Sequence, residues 1–270
     1  MRFGLPPSVV ETVAFPLEAS AGALGRMARG MDPAHLEELA RIERSYWWTV
    51  AKSELVTQLL SRHAPPPGML VEGGIGAGSN LARFRALGYE TLGLDASAQA
   101  VAHCERNGQH VRVHDLQAPW PVSQGSVDVV VLLDVIEHLH DPVAALRHAA
   151  HALRAGGTLV LTVPALPALM GPWDRMLGHL RRYTTRQLSR EVADAGLTLT
   201  WLSYWNAFSL APAILVRLRE RLWSSPRSAE FPPVPAAVNQ SLKALAAAER
   251  SVMKVAPIPL GVSLVGVLTR

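Results

Sequence analysis

The sequence has a single cysteine, Cys104, in 270 residues. No internal disulfide can form, so a disulfide-stapled scaffold is excluded, and a lone thiol fits a reducing cytoplasm. Lysine is nearly missing: Lys52, Lys243 and Lys254 are the three, and arginine makes up the rest of the 26 basic residues. Set against 22 acidic residues this leaves a net charge of +4, a spread-out basicity that permits contact with phosphates or an anionic membrane surface and requires neither. Charged residues are only 18% of the chain against 49% hydrophobic, which excludes disorder, and there is no collagen-like period, internal repeat or low-complexity tract. The continuous apolar stretch of a secretory signal is also missing, because Pro6, Pro7, Glu11, Pro16 and Glu18 interrupt the first thirty residues. A charge-free run from Ala195 to Val216 would be long enough to cross a bilayer, but Thr198, Thr200, Ser203, Asn206, Ser209 and Pro212 break it up. Its first half alternates Leu197, Leu199, Trp201, so a strand followed by a helix is expected there.

What is present is enough apolar material for one domain with sizeable additions, given about 150 residues per typical domain. Between 34 and 62, Leu36, Leu39, Ile42, Leu55, Leu59 and Leu60 recur at helical spacing until Pro65, Pro66, Pro67 and Gly68 end the helix. Strands are then predicted at Met69 to Val71, Thr91 to Leu94, His110 to Val113, Val127 to Leu133 and Thr158 to Val163. Helical stretches separate and follow them, at Ser79 to Leu87, Ala98 to Asn107, Pro142 to Leu153 and Thr185 to Ala195. That alternation implies a parallel sheet covered on both faces. A further strand, Leu197 to Tyr204, is separated from the last one, Val262 to Leu268, by two helical patterns. The first has Leu210, Ile214, Leu218 and Leu222; the second has Val238, Leu242, Leu245 and Val252; Pro226, Pro232, Pro233 and Pro235 lie between them. The expected organisation is an N-terminal arm (1–33), a nucleotide-binding domain (34–206 and 258–270), and a helical insertion (207–257) serving as a substrate lid or cap.

The chemistry begins at Leu70-Val71-Glu72-Gly73-Gly74-Ile75-Gly76-Ala77-Gly78, where a strand runs into a glycine turn and then a helix. Glycines let the backbone approach a ligand closely, and the helix start presents free N–H groups. Asp95 closes the next strand, 23 residues after Glu72, where a carboxylate can accept both ribose hydroxyls of a nucleotide. Asp115 ends the third strand and Asp134 the fourth. Any one of these could be a solvated loop carboxylate; four at successive strand ends converge on one crevice. Glu72 argues against a dinucleotide, since a carboxylate repels a pyrophosphate, and Ser79 stands where the last glycine of G-x-G-x-x-G would fall. Beside the ammonium and sulfonium of S-adenosylmethionine a carboxylate helps instead.

This set resembles the class I S-adenosylmethionine-dependent methyltransferases, whose first motif has the form acid-x-G-x-G-x-G, with Glu72 here in place of the usual Asp. The resemblance spans roughly residues 40 to 204. It includes Asp128-Val-Val-Val-Leu-Leu-Asp134-Val-Ile-Glu137-His138-Leu and Leu153-Arg-Ala-Gly156-Gly157. It implies an α/β fold, a Rossmann-like seven-stranded mostly parallel sheet with an antiparallel last strand, interrupted by the insertion before that strand. It also implies S-adenosyl-L-methionine as cofactor, held by Glu72, Gly73, Gly74, Gly76, Gly78, Asp95, Ala96, Asp115, Leu116, Asp134 and Val135. The acceptor is expected to be a small molecule, with a hydroxyl of a lipid-like, aromatic, sugar or natural-product substrate favoured. An NAD-binding oxidoreductase and a catalytically silent binding module of the same fold are the alternatives.

Methyl transfer from a sulfonium is an in-line displacement that gains most from alignment and water exclusion; a hydroxyl acceptor also gains from a base. His179, in Gly178-His179-Leu-Arg181-Arg182-Tyr183, and His138, four residues after Asp134, are the first and second candidates. Either could instead cap a helix or bond the backbone. The resemblance places Arg182 and Tyr183 at the acceptor pocket and Trp48 and Lys52, in Tyr46-Trp47-Trp48-Thr-Val-Ala-Lys52, in a segment folding over the cofactor. No metal is expected, because Glu137, His138, His140 and Asp141 fall on different sides of a turn. No nucleic-acid partner is expected either, since the fourth-strand motif is Asp-Val-Ile-Glu and no concentrated basic stripe is present. The insertion, with Trp205, Phe208 and Trp223 about it, should form an apolar wall, pack on a second subunit, or let Arg217, Arg219 and Arg221 meet anionic headgroups. A monomer or homodimer in the cytoplasm, with peripheral membrane contact left open, completes the expectation.

Overall fold

The computed structural model describes residues 33–222 and 234–270; the expected arm (1–33) apart from Pro33, Trp223 and most of the proline-rich break lie outside them. The elements in chain order are α1 (Pro33–Ser45), α2 (Trp47–His63), β1 (Met69–Gly73), α3 (Ser79–Ala86), β2 (Glu90–Asp95), α4 (Ala98–Arg106) and β3 (Val111–Val113). After these come β4 (Val127–Leu133), α5 (Pro142–Ala152), β5 (Leu153–Pro164), α6 (Pro172–Met176) and α7 (Thr185–Asp194). The chain ends with β6 (Thr198–Trp205), α8 (Leu210–Leu222), α9 (Ala236–Met253) and β7 (Ser263–Thr269). The seven strands form one sheet in the order β3-β2-β1-β4-β5-β7-β6. β1 to β5 pair in parallel, and β7 lies antiparallel between β5 and β6. Among the described residues no helix is long and apolar enough to cross a membrane.

The apolar run of β4 explains its central place. Alternate side chains point to opposite faces, so Val130 and Leu132 join one core with Leu146 of α5 and Leu188 and Val192 of α7. Val129, Val131 and Leu133 join the other with Leu55, Val56, Leu59 and Leu60 of α2 and Ala246 and Met253 of α9. Local caps fix where helices begin over this sheet. The hydroxyl of Ser97 accepts from Ala100 N at 3.2 Å, Asp141 from Ala144 N at 2.9 Å, and Thr184 from Gln187 N at 3.1 Å, each satisfying an otherwise orphaned donor.

Two boundaries differ from the sequence reading. The single helix expected over 34–62 is two, because Tyr46 is extended (φ −73°, ψ 135°). The break is held from far away: Asn239 of α9 accepts from Trp47 N at 2.9 Å and donates to Ser45 O at 3.0 Å, serving both helix ends at once. β5 starts at Leu153 and not at Thr158, since Leu153 already pairs with Val127 before an irregularity that takes up Gly156 and Gly157.

Candidate active site

Because β3, β2, β1 and β4 are neighbours, their C-terminal ends set Asp115, Asp95, Glu72 and Asp134 in a row beside the glycine turn. The turn demands glycine at Gly74: its φ is +76°, and a Cβ there would lie 2.5 Å from Val135 Cγ2. Asp95 faces the turn directly, accepting from Gly76 N at 3.3 Å and from Ser97 N at 2.8 Å. Burial raises its carboxyl above the usual range although these N–H groups oppose the shift. Glu72 is buried, and its Oε2 has no hydrogen-bond partner among the described residues. Burial, with the nearby Glu43 carboxylate, holds it well above the usual carboxylate range.

Four more of the expected cofactor residues lie around the turn and the loops after β2 and β3. Val135 packs against Gly74, and the Leu116 side chain against Gly73, both buried. Asp115 Oδ1 accepts from its own turn, at Gln117 N (3.0 Å), while Ala96 is exposed at the loop surface. A residue the sequence reading missed stands across the turn: Glu43 of α1 accepts from Ala77 N at 3.1 Å and Ser79 N at 3.2 Å. Its carboxylate thus caps α3, and its Oε1 lies 2.9 Å from where a Cβ on Gly76 would be.

The second half of the site forms where β4 and β5 end. Asp134 takes a left-handed backbone (φ 54°), an unfavourable conformation for a non-glycine residue. Its carboxylate accepts from Lys52 Nζ at 2.8 Å and from Thr162 Oγ1 at 2.9 Å. Burial opposes ionisation of both partners, yet their attraction prevails: Lys52 is raised and Asp134 lowered from their ordinary values. Trp48 stacks on Trp205 at 5.1 Å between ring centroids and Trp47 on Phe208 at 5.7 Å, so the start of the insertion meets the start of α2.

Next to Asp134, Glu137 is fully buried and both its carboxylate oxygens lack a hydrogen-bond partner among the described residues. Burial and then the Asp134 charge raise it well above the usual range. His138 and His179 meet edge to face at 4.8 Å, and burial followed by the neighbouring His179 lowers His138 to about 4, leaving it neutral at physiological pH. His179 Nδ1 lies 3.2 Å from Asp174 Oδ1, and its Nε2 is 4.0 Å from Glu137 Oε1. A proton on Nδ1 facing Asp174 leaves Nε2 as the acceptor.

Asp174, also missed, is fully buried and accepts from Arg182 at 2.8 Å, from Arg217 Nη2 at 3.0 Å and from Gly171 N at 2.8 Å. Burial would raise its carboxyl, but His179 and Arg182 outweigh that and hold it far below the usual range. It stands five residues before His179, a spacing that was there to be noticed. Arg182, expected at the acceptor pocket, donates to Asp174 and to Ala165 O at 2.9 Å and so supports His179's loop. Tyr183 is fully buried, its hydroxyl 3.4 Å from Ile136 O, so it is a core residue and not a pocket wall. Arg217, which one of the alternatives for the insertion would have facing lipid headgroups, points inward onto Asp174 and Leu169 O; the Arg221 side chain lies outside the described residues. The spacing argument against a metal missed a cluster closed by the fold: Glu137, His138 and His179 offer ligand atoms all within 4.8 Å of one another.

The donor set fits a ligand with positive charge at one end. Glu43, Asp134 and Glu137 all act on the Lys52 ammonium, and Glu72 lies in the field of Glu43, Lys52 and Asp95. The orphaned oxygen of Glu72 beside the turn suits an ammonium group.

Comparison with known proteins agrees with this geometry. Residues 47–202 match the family described as "Methyltransferase domain". A probable S-adenosylmethionine-dependent methyltransferase of Mycobacterium tuberculosis is 29% identical over 155 residues, covering 56% of each chain. A ubiquinone biosynthesis O-methyltransferase of Parvibaculum lavamentivorans is 30% identical over 148 residues, covering 48% of this chain and 58% of that one. The chain thus spans little more than half the length of these curated relatives. Among solved structures, geranyl diphosphate C-methyltransferase from Streptomyces coelicolor, in complex with Mg2+, geranyl diphosphate and S-adenosyl-L-homocysteine, superposes with a TM-score of 0.54 at 19% identity, covering 92% of this chain and 87% of that one. A putative methyltransferase in complex with the Haloferax volcanii Trm112 activator gives 0.57 at 20% identity, covering 85% and 92%. At these identities the likeness is one of fold.

Proposed function

The chain belongs to the methyltransferase domain family that residues 47–202 match, and from that premise we propose that it transfers the methyl group of S-adenosylmethionine to a hydroxyl of a small, apolar acceptor. The observation that carries this reading is the acidic crevice at the ends of β1, β2 and β4, with the orphaned Glu72 beside a glycine turn and Asp95 across from it. Bound there, the cofactor supplies an electrophilic methyl on a sulfonium.

The chain's own residues do the rest. Glu72 receives the amino-acid ammonium, Asp95 takes the ribose hydroxyls in exchange for backbone N–H groups, and Lys52, held by Asp134, faces the amino-acid carboxylate. The aromatic group of Trp47, Trp48, Trp205 and Phe208 excludes water from the crevice. His179 Nε2 accepts the acceptor's hydroxyl proton, while Asp174 fixes its ring and tautomer through Nδ1. Most of the acceleration then comes from alignment.

Titration calorimetry with S-adenosylhomocysteine tests the cofactor half: binding by the native chain, lost in Asp95→Ala, supports it, and binding unaffected by that change rejects it. An acceptor screen with isotope-labelled cofactor, read by mass spectrometry, tests the other half. A product labelled on oxygen, with His179→Ala slowing its formation by about 100-fold or more, agrees with the reading; labelling on nitrogen or carbon without dependence on His179 overturns the role of the base.

A further inference from the structure

The two helices of the insertion hold charged side chains against the protein and leave branched apolar ones exposed, although α9 also sends Ala246 and Met253 into the core. On α8 the side chains turned toward the protein include Arg217 and Glu220: Arg217 bonds Asp174, Leu169 O and Glu220. Its outward side carries Ile214 (41% exposed), Leu215 (67%) and Leu218 (48%). On α9 Glu249 accepts from Asn206 N and Ala207 N, and Arg250 bonds Glu54 at 2.6 Å. Val238, Leu245 and Val252, one heptad apart and so on one stripe, are each about half exposed. Ala237, Ser241, Ala244 and Ala248 are exposed around them. A helix of a water-soluble surface does the reverse, and two in succession that turn charge inward and branched apolar residues outward are built for an apolar contact.

The charge of the segment says what kind of contact. Residues 207–257 hold seven Lys and Arg against three Asp and Glu, whereas the remainder of the chain holds nineteen of each. Formally the whole +4 of the protein lies in the insertion, although Arg217 and Arg250 are paired with Asp174 and Glu54 outside it. Arg219, exposed on α8, follows Leu215 by one turn and adjoins the apolar side chains there; Lys254 is exposed beyond the end of α9. A water-excluding face with a local positive charge complements an anionic bilayer, where apolar side chains enter the acyl boundary and cations meet phosphate. We propose that the insertion docks the protein onto anionic lipid membranes through the outward faces of α8 and α9. The loop that Arg217 of α8 ties down also exposes Met176 (38%) and Leu180 (45%), close in sequence to His179. On the methyl-transfer reading, this places the mouth of the site at the lipid boundary and makes the acceptor a membrane-dissolved molecule.

The test is flotation of the full chain with vesicles of phosphatidylcholine alone and of phosphatidylcholine with phosphatidylglycerol. The expected result is cofloating with the anionic vesicles only, weakened by salt, and reduced about tenfold or more in a Leu215→Asp/Leu218→Asp variant. Arg219→Glu should weaken it less. Both variants are at exposed positions, and circular dichroism together with S-adenosylhomocysteine calorimetry shows that fold and cofactor site are intact. Absence of flotation, or flotation unchanged by the double variant, overturns the proposal. A dimer in light scattering that the double variant dissolves, with no vesicle binding, assigns the face to a second copy and also overturns it. Loss of cofactor binding in the native chain would reject methyl transfer and leave the flotation result standing on its own.

Discussion

Asp174 sits with both carboxylate oxygens committed, one to His179 and Arg182 and the other to Gly171 N and Arg217. Asp174→Ala would leave two guanidinium groups without their buried counter-charge, and a loss of about 3–5 kcal/mol of stability is expected by denaturant unfolding. Asp174→Asn keeps the shape and removes the charge; it should fold, bind S-adenosylhomocysteine within about twofold of the native chain, and lose turnover by about tenfold or more as His179 loses its orienting partner. Equal loss of binding and turnover would make Asp174 structural only. The titrating groups also shape stability against pH. Glu72 and Glu137 are held protonated, so their contribution is full below the usual carboxylate range and is lost as pH rises through their raised folded values. Asp134 and Asp174 are held ionised, so theirs is full above that range and is lost as pH falls through their lowered values. The summed contribution of these four groups is therefore greatest near the ordinary carboxylate range, about pH 4, and falls as pH rises from there, so Glu72→Gln should lose less melting temperature than the native chain as buffer pH is raised. A cation beside Glu72 favours its ionised form, so cofactor binding should release protons, seen as a calorimetric heat that varies with buffer ionisation. The same loss in both chains and no proton release would contradict these assignments. The placement of Glu72 and Asp95 was legible in the sequence because it is local to a strand end and a glycine turn. Glu43 was not, since its partners at Ala77 and Ser79 lie in another element and nothing near it announces them.

At the scale of elements, the strand alternation from β1 to β5 could be read because it rests on short runs of apolar residues, and β4 was bounded without error as Val127–Leu133. The break between α1 and α2 could not, because its cause is Asn239, nearly two hundred residues away, and residues 34 to 62 carry an uninterrupted helical period. Nor does periodicity say which side of a helix faces inward: α8 was read by its leucines, and the fold seats it by Arg217. The β1–α3 turn is the element on which the cofactor reading is most exposed to test. At Gly74, alanine would meet both a left-handed φ of +76° and the Val135 methyl at 2.5 Å. The conformational penalty alone is about 1–2 kcal/mol, and relief of the clash must displace the turn. Gly74→Ala should therefore lower the melting temperature and weaken S-adenosylhomocysteine by about tenfold or more. Native affinity in this variant would mean that the ligand does not touch the turn.

Across the whole molecule the insertion holds the site from two directions. α9 lies along α2, which carries Lys52, through Arg250–Glu54 and the Asn239 bridge. α8 reaches the loop of His179 through Arg217. The cofactor crevice touches the first of these ties and the acceptor side the second, so ligand effects should separate. S-adenosylhomocysteine at about 100 times its Kd adds about 2.7 kcal/mol, or roughly 5–10 °C of melting temperature for a domain of this size. Arg217→Ala should leave that increment intact, because the Glu72 and Asp95 crevice does not depend on α8, while slowing acceptor turnover as His179's loop loses its tie. If Arg217→Ala removes the cofactor's thermal increment along with turnover, the insertion and the crevice are one cooperative unit, and α8 cannot act as a separate cover for the acceptor.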